Sequence, residues 1–154
     1  MAILRMTHIG LCVADLERAT RFYRDGLGFT PRSELRISGE PTETLLGLRD
    51  VDLQAVYLER DGTRLELLHF VSPGATGDGT PRVMNGRGLT HLSLRVDNVA
   101  DTLATLRRLG ARVLESTAID LPDFGAAAVF VTDPDGTLIE LVQAPGDPEP
   151  PPGA

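Results

Sequence analysis

Two histidines and two glutamates recur at matching places in the chain. His8 lies in Thr7-His8-Ile9-Gly10-Leu11-Cys12-Val13 and His91 in Thr90-His91-Leu92-Ser93-Leu94-Arg95-Val96. Glu66 lies in Asp61-Gly62-Thr63-Arg64-Leu65-Glu66-Leu67-Leu68 and Glu140 in Asp135-Gly136-Thr137-Leu138-Ile139-Glu140-Leu141-Val142. The second half is thus a slightly shorter copy of the first. Two neutral imidazoles and two carboxylates form a mixed nitrogen and oxygen donor set suited to one divalent ion of Ni, Co, Mn, Fe or Zn. Six-coordination would leave positions open for water or substrate, as catalysis at a metal requires. A glutamate flanked by leucines in mid-strand is costly to bury unless it is paired or ligated.

The elements that must position these residues follow from periodicity. Each copy opens with alternating apolar residues, predicting strands over 3–13 and 89–97. Helices are expected over 15–25 and 98–109, with Asp15 and Asn98 as N-caps whose oxygens accept otherwise unpaired N–H groups. Leu16, Ala19 and Tyr23, like Val99, Leu103 and Leu106, recur near helical spacing and give each helix one apolar face. Further strands are expected over 29–37, 51–59 and 63–70, then over 111–116, 126–132 and 137–143, with tight turns at Glu59-Arg60-Asp61-Gly62 and Asp133-Pro134-Asp135-Gly136.

The expected fold class is therefore α+β: two βαβββ modules forming a curved mixed sheet with helices outside. Residues 1–143 make one domain, with modules 1–72 and 88–143, a glycine- and proline-rich linker over 73–87, and a disordered tail over 144–154.

Side chains alternate across a strand, so parity assigns the faces. Ile9, Leu11 and Val13, with Leu65 and Leu67, point to the helix, as do Leu92, Leu94 and Val96 with Ile139 and Leu141. His8, Gly10 and Cys12, with Glu66, take the other face, as do His91, Ser93 and Arg95 with Glu140. If an approximate two-fold relates the halves, the four candidate ligands can converge on one ion. On that face Arg95, Ser93 and Cys12 are candidate substrate contacts, Cys12 reading more readily as a small core residue. Asp50 or Asp52, at the start of the third strand, is a candidate second base, though a solvated turn explains either. His69 has the opposite parity and no histidine at its repeat partner Gln143, so it reads as structural or exposed.

Composition narrows the function. The hydrophobic share of 42% and charged share of 24% are those of a globular protein. A net charge of −7 without a basic run argues against nucleic acid as a partner. No apolar run is long enough to span a bilayer, and the lone cysteine, Cys12, suits a reducing cytoplasm. All 15 basic residues are arginine, which excludes Schiff-base chemistry and a P-loop lysine.

Over residues 3–143 the sequence resembles the vicinal oxygen chelate superfamily, which includes glyoxalase I, methylmalonyl-CoA epimerase, extradiol dioxygenases and fosfomycin- and bleomycin-resistance proteins. The resemblance rests on Thr7-His8-Ile9, on Phe22-Tyr23-Arg24-Asp25-Gly26-Leu27-Gly28-Phe29 and on Asp133-Pro134-Asp135-Gly136-Thr137-Leu138-Ile139-Glu140-Leu141. With all four ligand positions filled, the pattern is most similar to glyoxalase I and methylmalonyl-CoA epimerase. Thr90-His91 departs from the adjacent histidines usual in the epimerases. The resemblance implies an isomerase, epimerase or lyase that abstracts a proton next to a carbonyl of a small oxygen-chelating substrate, with Glu140 or Glu66 as base. It leaves open a metal-dependent dioxygenase or thiol transferase, or a small-molecule or antibiotic-binding resistance protein. A homodimer is expected, because half-barrels leave sheet edges that need cover.

Overall fold

A computed structural model describes residues 1–146; most of the expected tail lies outside them. The chain is mixed α+β and, among the described residues, forms two compact units, residues 1–76 and residues 77–146. Each holds its own sheet.

In the first unit, β1 (Ile9–Cys12), β2 (Thr30–Ser38), β3 (Asp52–Arg60) and β4 (Thr63–Ser72) form a sheet of order β1-β4-β3-β2. β1 runs parallel to β4, with Gly10 beside Glu66, and the remaining pairs are antiparallel. Helix α1 (Leu16–Arg21) starts on Asp15, whose side chain accepts the Arg18 N–H, and continues into a π-helical turn over Phe22–Gly26. α1 packs on β3 and β4. Val13, Ala19, Phe22, Tyr23, Leu65 and Leu67 are buried there, the apolar face that strand parity requires. The β3–β4 hairpin closes through Asp61-Gly62, both at positive φ, which is the two-residue type I′ geometry matched to strand twist.

The second unit repeats this plan. β5 (Leu92–Arg95), β6 (Arg112–Val113), β8 (Ala126–Thr132) and β9 (Leu138–Gln143) form a sheet of order β5-β9-β8-β6, and β7 (Ile119–Leu121) pairs with β8. β5 runs parallel to β9 with Ser93 beside Glu140, the register of Gly10 beside Glu66. Helix α3 (Val99–Arg108) is capped by Asn98, whose side chain accepts the Asp101 N–H, and packs on β6, β8 and β9 over Leu106, Val131, Ile139 and Leu141. In the β8–β9 turn the buried Asp133 carboxylate accepts N–H bonds from Asp135 and Thr137 at 2.9 and 2.8 Å.

Several elements differ from expectation. The opening strands are Ile9–Cys12 and Leu92–Arg95 rather than 3–13 and 89–97. β4 begins at Thr63 and β9 at Leu138, so residues farther upstream have no ladder to join. Helix α2 (Glu40–Leu46) fills a stretch left unassigned by periodicity; it is short, buries no residue and ends on Gly47 in the left-handed region. The strand expected over 111–116 is two residues long and gives way to a 3-10 turn at Glu115–Thr117.

Candidate functional site

The structure pairs the four candidate ligands two by two. In the first unit His8, directly before β1, places Nε2 3.0 Å from Glu66 Oε2 on β4. In the second, His91, directly before β5, places Nε2 3.7 Å from Glu140 Oε2 on β9. The pairing follows from register. Each histidine stands two residues before the position that sits beside the glutamate, so both side chains leave the same face of neighbouring parallel strands. Among the described residues, no three His, Cys, Asp or Glu side chains are grouped so as to hold a metal ion.

The far nitrogen of each imidazole is also engaged alike. Thr7 Oγ1 lies 3.1 Å from His8 Nδ1, and Thr90 Oγ1 lies 2.9 Å from His91 Nδ1. Hydrogen bonding at one ring nitrogen fixes the ring and the tautomer available at the other, the arrangement usual for a metal-bound histidine. With Nε2 aimed at a carboxylate and Nδ1 held by a hydroxyl, the donor set fits a divalent ion.

An aromatic ring completes each pair, and neither ring was singled out by sequence. Tyr57 lies opposite Glu66 across β3–β4, its ring edge-on to His8 at 5.5 Å. Phe130 lies opposite Glu140 across β8–β9, its ring edge-on to His91 at 5.3 Å. The signal was available in the first unit. Counting outward from the Asp61-Gly62 turn in equal steps sets Tyr57 against Glu66.

The two pairs differ in their surroundings. Tyr57 stands opposite Glu66 across the strand pair, and the Arg64 guanidinium sits 5.7 Å from the Tyr57 ring centre while pairing with Glu59. Burial pushes the Tyr57 phenol above its ordinary value, as does the neighbouring Glu66 carboxylate; Arg64 opposes them. In the second unit Ser93 Oγ donates to Glu140 Oε2 at 2.7 Å. The Glu66 side chain is 12% exposed and Glu140 30%, so the second pair is looser and its glutamate more open.

The remaining candidates lie as follows. Cys12 is exposed on β1, beside Leu68. Arg95 donates to the backbone carbonyls of Ala144 and Gly146. Asp50 is an exposed turn residue at positive φ. Asp52 is bound by Arg36 through Nε at 2.8 Å and through Nη2. The bond from Arg36, reinforced by its charge, holds the Asp52 carboxyl below its ordinary value, making it a weaker base. His69 is part-buried, with Nδ1 3.4 Å from the Val13 carbonyl.

A family model, "Glyoxalase/Bleomycin resistance protein/Dioxygenase superfamily", matches residues 5–141. The chain belongs to this superfamily. It is 28% identical over 142 residues to mitochondrial methylmalonyl-CoA epimerase of Mus musculus, covering 91% of this chain and 73% of that protein. It is 30% identical over 139 residues to a probable lactoylglutathione lyase of Synechocystis, covering 90% and 94%. Among solved structures, a glyoxalase family protein from Bacillus cereus superposes with a TM-score of 0.78 at 21% identity, covering 95% and 97%. That likeness establishes the fold. Among the described residues, no helix is long and apolar enough to cross a membrane.

Proposed function

We propose that this protein is a divalent-metal-dependent isomerase, epimerase or lyase that removes a proton from the carbon next to a carbonyl of a small oxygen-chelating substrate. His8, Glu66, His91 and Glu140 together supply the ligands of one ion per chain. The observation that carries this reading is the repetition of a His–Glu pair at the same parallel register in both units, each histidine with its far nitrogen at a threonine hydroxyl. The similarity to an epimerase and to a probable lactoylglutathione lyase supports the reaction class.

A bound divalent ion would supply Lewis acidity towards the substrate oxygens. The chain's own residues do the proton work. Glu140 is assigned as general base, because it is the more exposed glutamate and stands farther from its histidine. Glu66, tighter against His8 and less exposed, keeps its place. The protein works as a homodimer in this reading. The first sheet ends in the free edges of β1 and β2, and Ile37, Leu45, Leu46 and Leu48 are exposed on that unit.

The test is exchange of the proton next to the carbonyl in deuterated water, offering acyl-CoA and hemithioacetal substrates separately. Wild type exchanges one of these classes, and Glu140→Gln slows exchange by about 10²–10⁴-fold. Tight binding of either class without exchange would replace the enzyme with a binding protein of the same family.

A further inference from the structure

The face of the first sheet that carries Glu66 changes character along its strands. Glu66 on β4 stands opposite Tyr57 on β3. One step away from the Asp61-Gly62 turn the row is apolar, with Leu68 opposite Ala55 and Ala55 beside Leu35 on β2. One step towards the turn it is charged, with Arg64 opposite Glu59. Arg32, in the irregular stretch of β2 between Pro31 and Ser33, reaches the same carboxylate. His8 precedes Gly10 by two residues, as Arg64 precedes Glu66, so continuing the β1–β4 register sets His8 level with Arg64. Glu66 thus stands between an apolar row and a charged one.

The charged row sets two arginines against one carboxylate. Glu59 accepts from Arg32 Nε through Oε2 at 2.9 Å and from Arg64 Nε through Oε1 at 2.8 Å, with a second bond from Arg64 Nη2. Arg64 also lies over the Tyr57 ring, a cation–π contact that steadies it from beneath. Both oxygens of Glu59 are committed, and one positive charge is left uncompensated. Among the described residues, Nη1 of neither arginine bonds a protein group, and the side chains are 44% and 56% exposed, so these donors are open to a ligand. The second unit fills the equivalent positions with Leu138 opposite Thr132, both buried. The repeated fold therefore does not call for charge here, and pairing Glu59 needs one arginine, not two.

We propose that Arg32 and Arg64 form the subsite for an oxyanion of the substrate, a carboxylate or phosphate borne a few bonds from the reacting carbonyl. This rests on the reading of Glu66 as a ligand of the metal at which that carbonyl binds. Arg64 and Glu66 leave the same face of one strand about 7 Å apart at the backbone. A guanidinium presents paired N–H donors in a plane, which matches two oxygens of either anion. Glu59 acts as a splint. Bonding Nε of both arginines leaves Nη1 for the ligand and restrains side chains that would otherwise lose rotamer freedom on binding. The apolar row at Leu68 suits the opposite end of the substrate, so the two rows set its direction across Glu66.

Two measurements test the subsite. In the metal-free chain, the arginine Nε–H resonances are followed by NMR as sodium phosphate or sodium acetate replaces sodium chloride at constant ionic strength. Those of Arg32 and Arg64 should shift saturably, and Arg64→Gln should abolish saturation at Arg32. Saturation by phosphate alone identifies a phosphorylated substrate, and by acetate alone a carboxylate. In the exchange assay, with whichever class wild type turns over, Arg64→Gln should raise KM about tenfold and leave kcat within about twofold, because the contact holds before and during reaction alike. Arg64→Lys, which keeps the charge, should recover part of the loss. Resonances that do not saturate with either anion overturn the proposal, as does a fall in kcat at unchanged KM. A wild type that exchanges neither class but shows the saturable shifts sinks the metal-dependent reaction and leaves the anion subsite standing.

Discussion

His8 Nε2 and Glu66 Oε2 lie 3.0 Å apart, joined across the parallel pair β1–β4. The contact gives each of these two proposed ligands a polar partner within the chain itself. The carboxylate, 12% exposed, has the imidazole as a polar partner, which offsets its desolvation. A metal ion would compete for the same nitrogen, displacing the N–H that Nε2 donates to the carboxylate. The metal-free protein should therefore remain folded and gain stability when a ligated ion is added. At a free metal concentration about a hundredfold above Kd the gain is about 2.7 kcal/mol. Thermal unfolding of wild type and Glu66→Gln with and without Co²⁺ checks this; equal shifts in both would show that Glu66 is not a ligand.

Gly136 anchors the loop after the first unit. It sits at φ +96°, and a Cβ built there would lie 2.1 Å from the Gly79 carbonyl oxygen. Both the dihedral and the contact oppose any side chain. Gly136→Ala should destabilise the protein by about 1–3 kcal/mol, read as a lower urea midpoint. An unchanged midpoint would mean that the Gly79 segment yields freely.

Asp133 tests the turn that leads into the Glu140 strand. Its buried carboxylate accepts the N–H groups of Asp135 and Thr137. Asp133→Ala leaves both donors short of a partner, at about 1–3 kcal/mol for each group left unsatisfied. Urea unfolding measures the loss, and a change under about 0.5 kcal/mol would place it with ordinary surface substitutions.

Acid stability follows from the arginine-bound carboxylates. Bonds from arginines hold Asp52, Glu59 and Asp25 below their ordinary values. A depressed folded value means that the stabilisation is present above the unfolded carboxylate value and is lost as pH falls through the folded one. The urea midpoint should therefore decline with acid below the ordinary carboxylate range. Arg36→Gln, which frees Asp52, should make that decline shallower; an identical profile would show that the exposed pair adds nothing.

The candidate site was legible in the sequence as far as residue type, repeat position and strand parity reach. These named His8, Glu66, His91 and Glu140 and separated them from Leu65, Leu67, Ile139 and Leu141, which are buried on the other face. Parity says nothing about neighbours across a ladder, so Tyr57 and Phe130 stayed hidden until register was known. The Asp61-Gly62 hairpin could have fixed that register in the first unit, because a two-residue loop leaves no freedom of pairing. Alternation also overextended the opening strands, since it marks residues able to pair, and pairing stops where β4 and β9 begin. Helix α2 escaped because no residue in it is buried, which leaves no apolar period to detect.

Metal content tests the central claim most directly. Wild type and His8→Ala would be incubated with Ni²⁺, Co²⁺, Mn²⁺ and Zn²⁺, passed over a desalting column and assayed by plasma mass spectrometry. The account predicts about one divalent ion per chain in wild type and its loss in His8→Ala, since ligand count sets affinity at such sites. A wild type that stays metal-free in all four, while remaining folded, would contradict the account and leave a small-molecule-binding member of the superfamily.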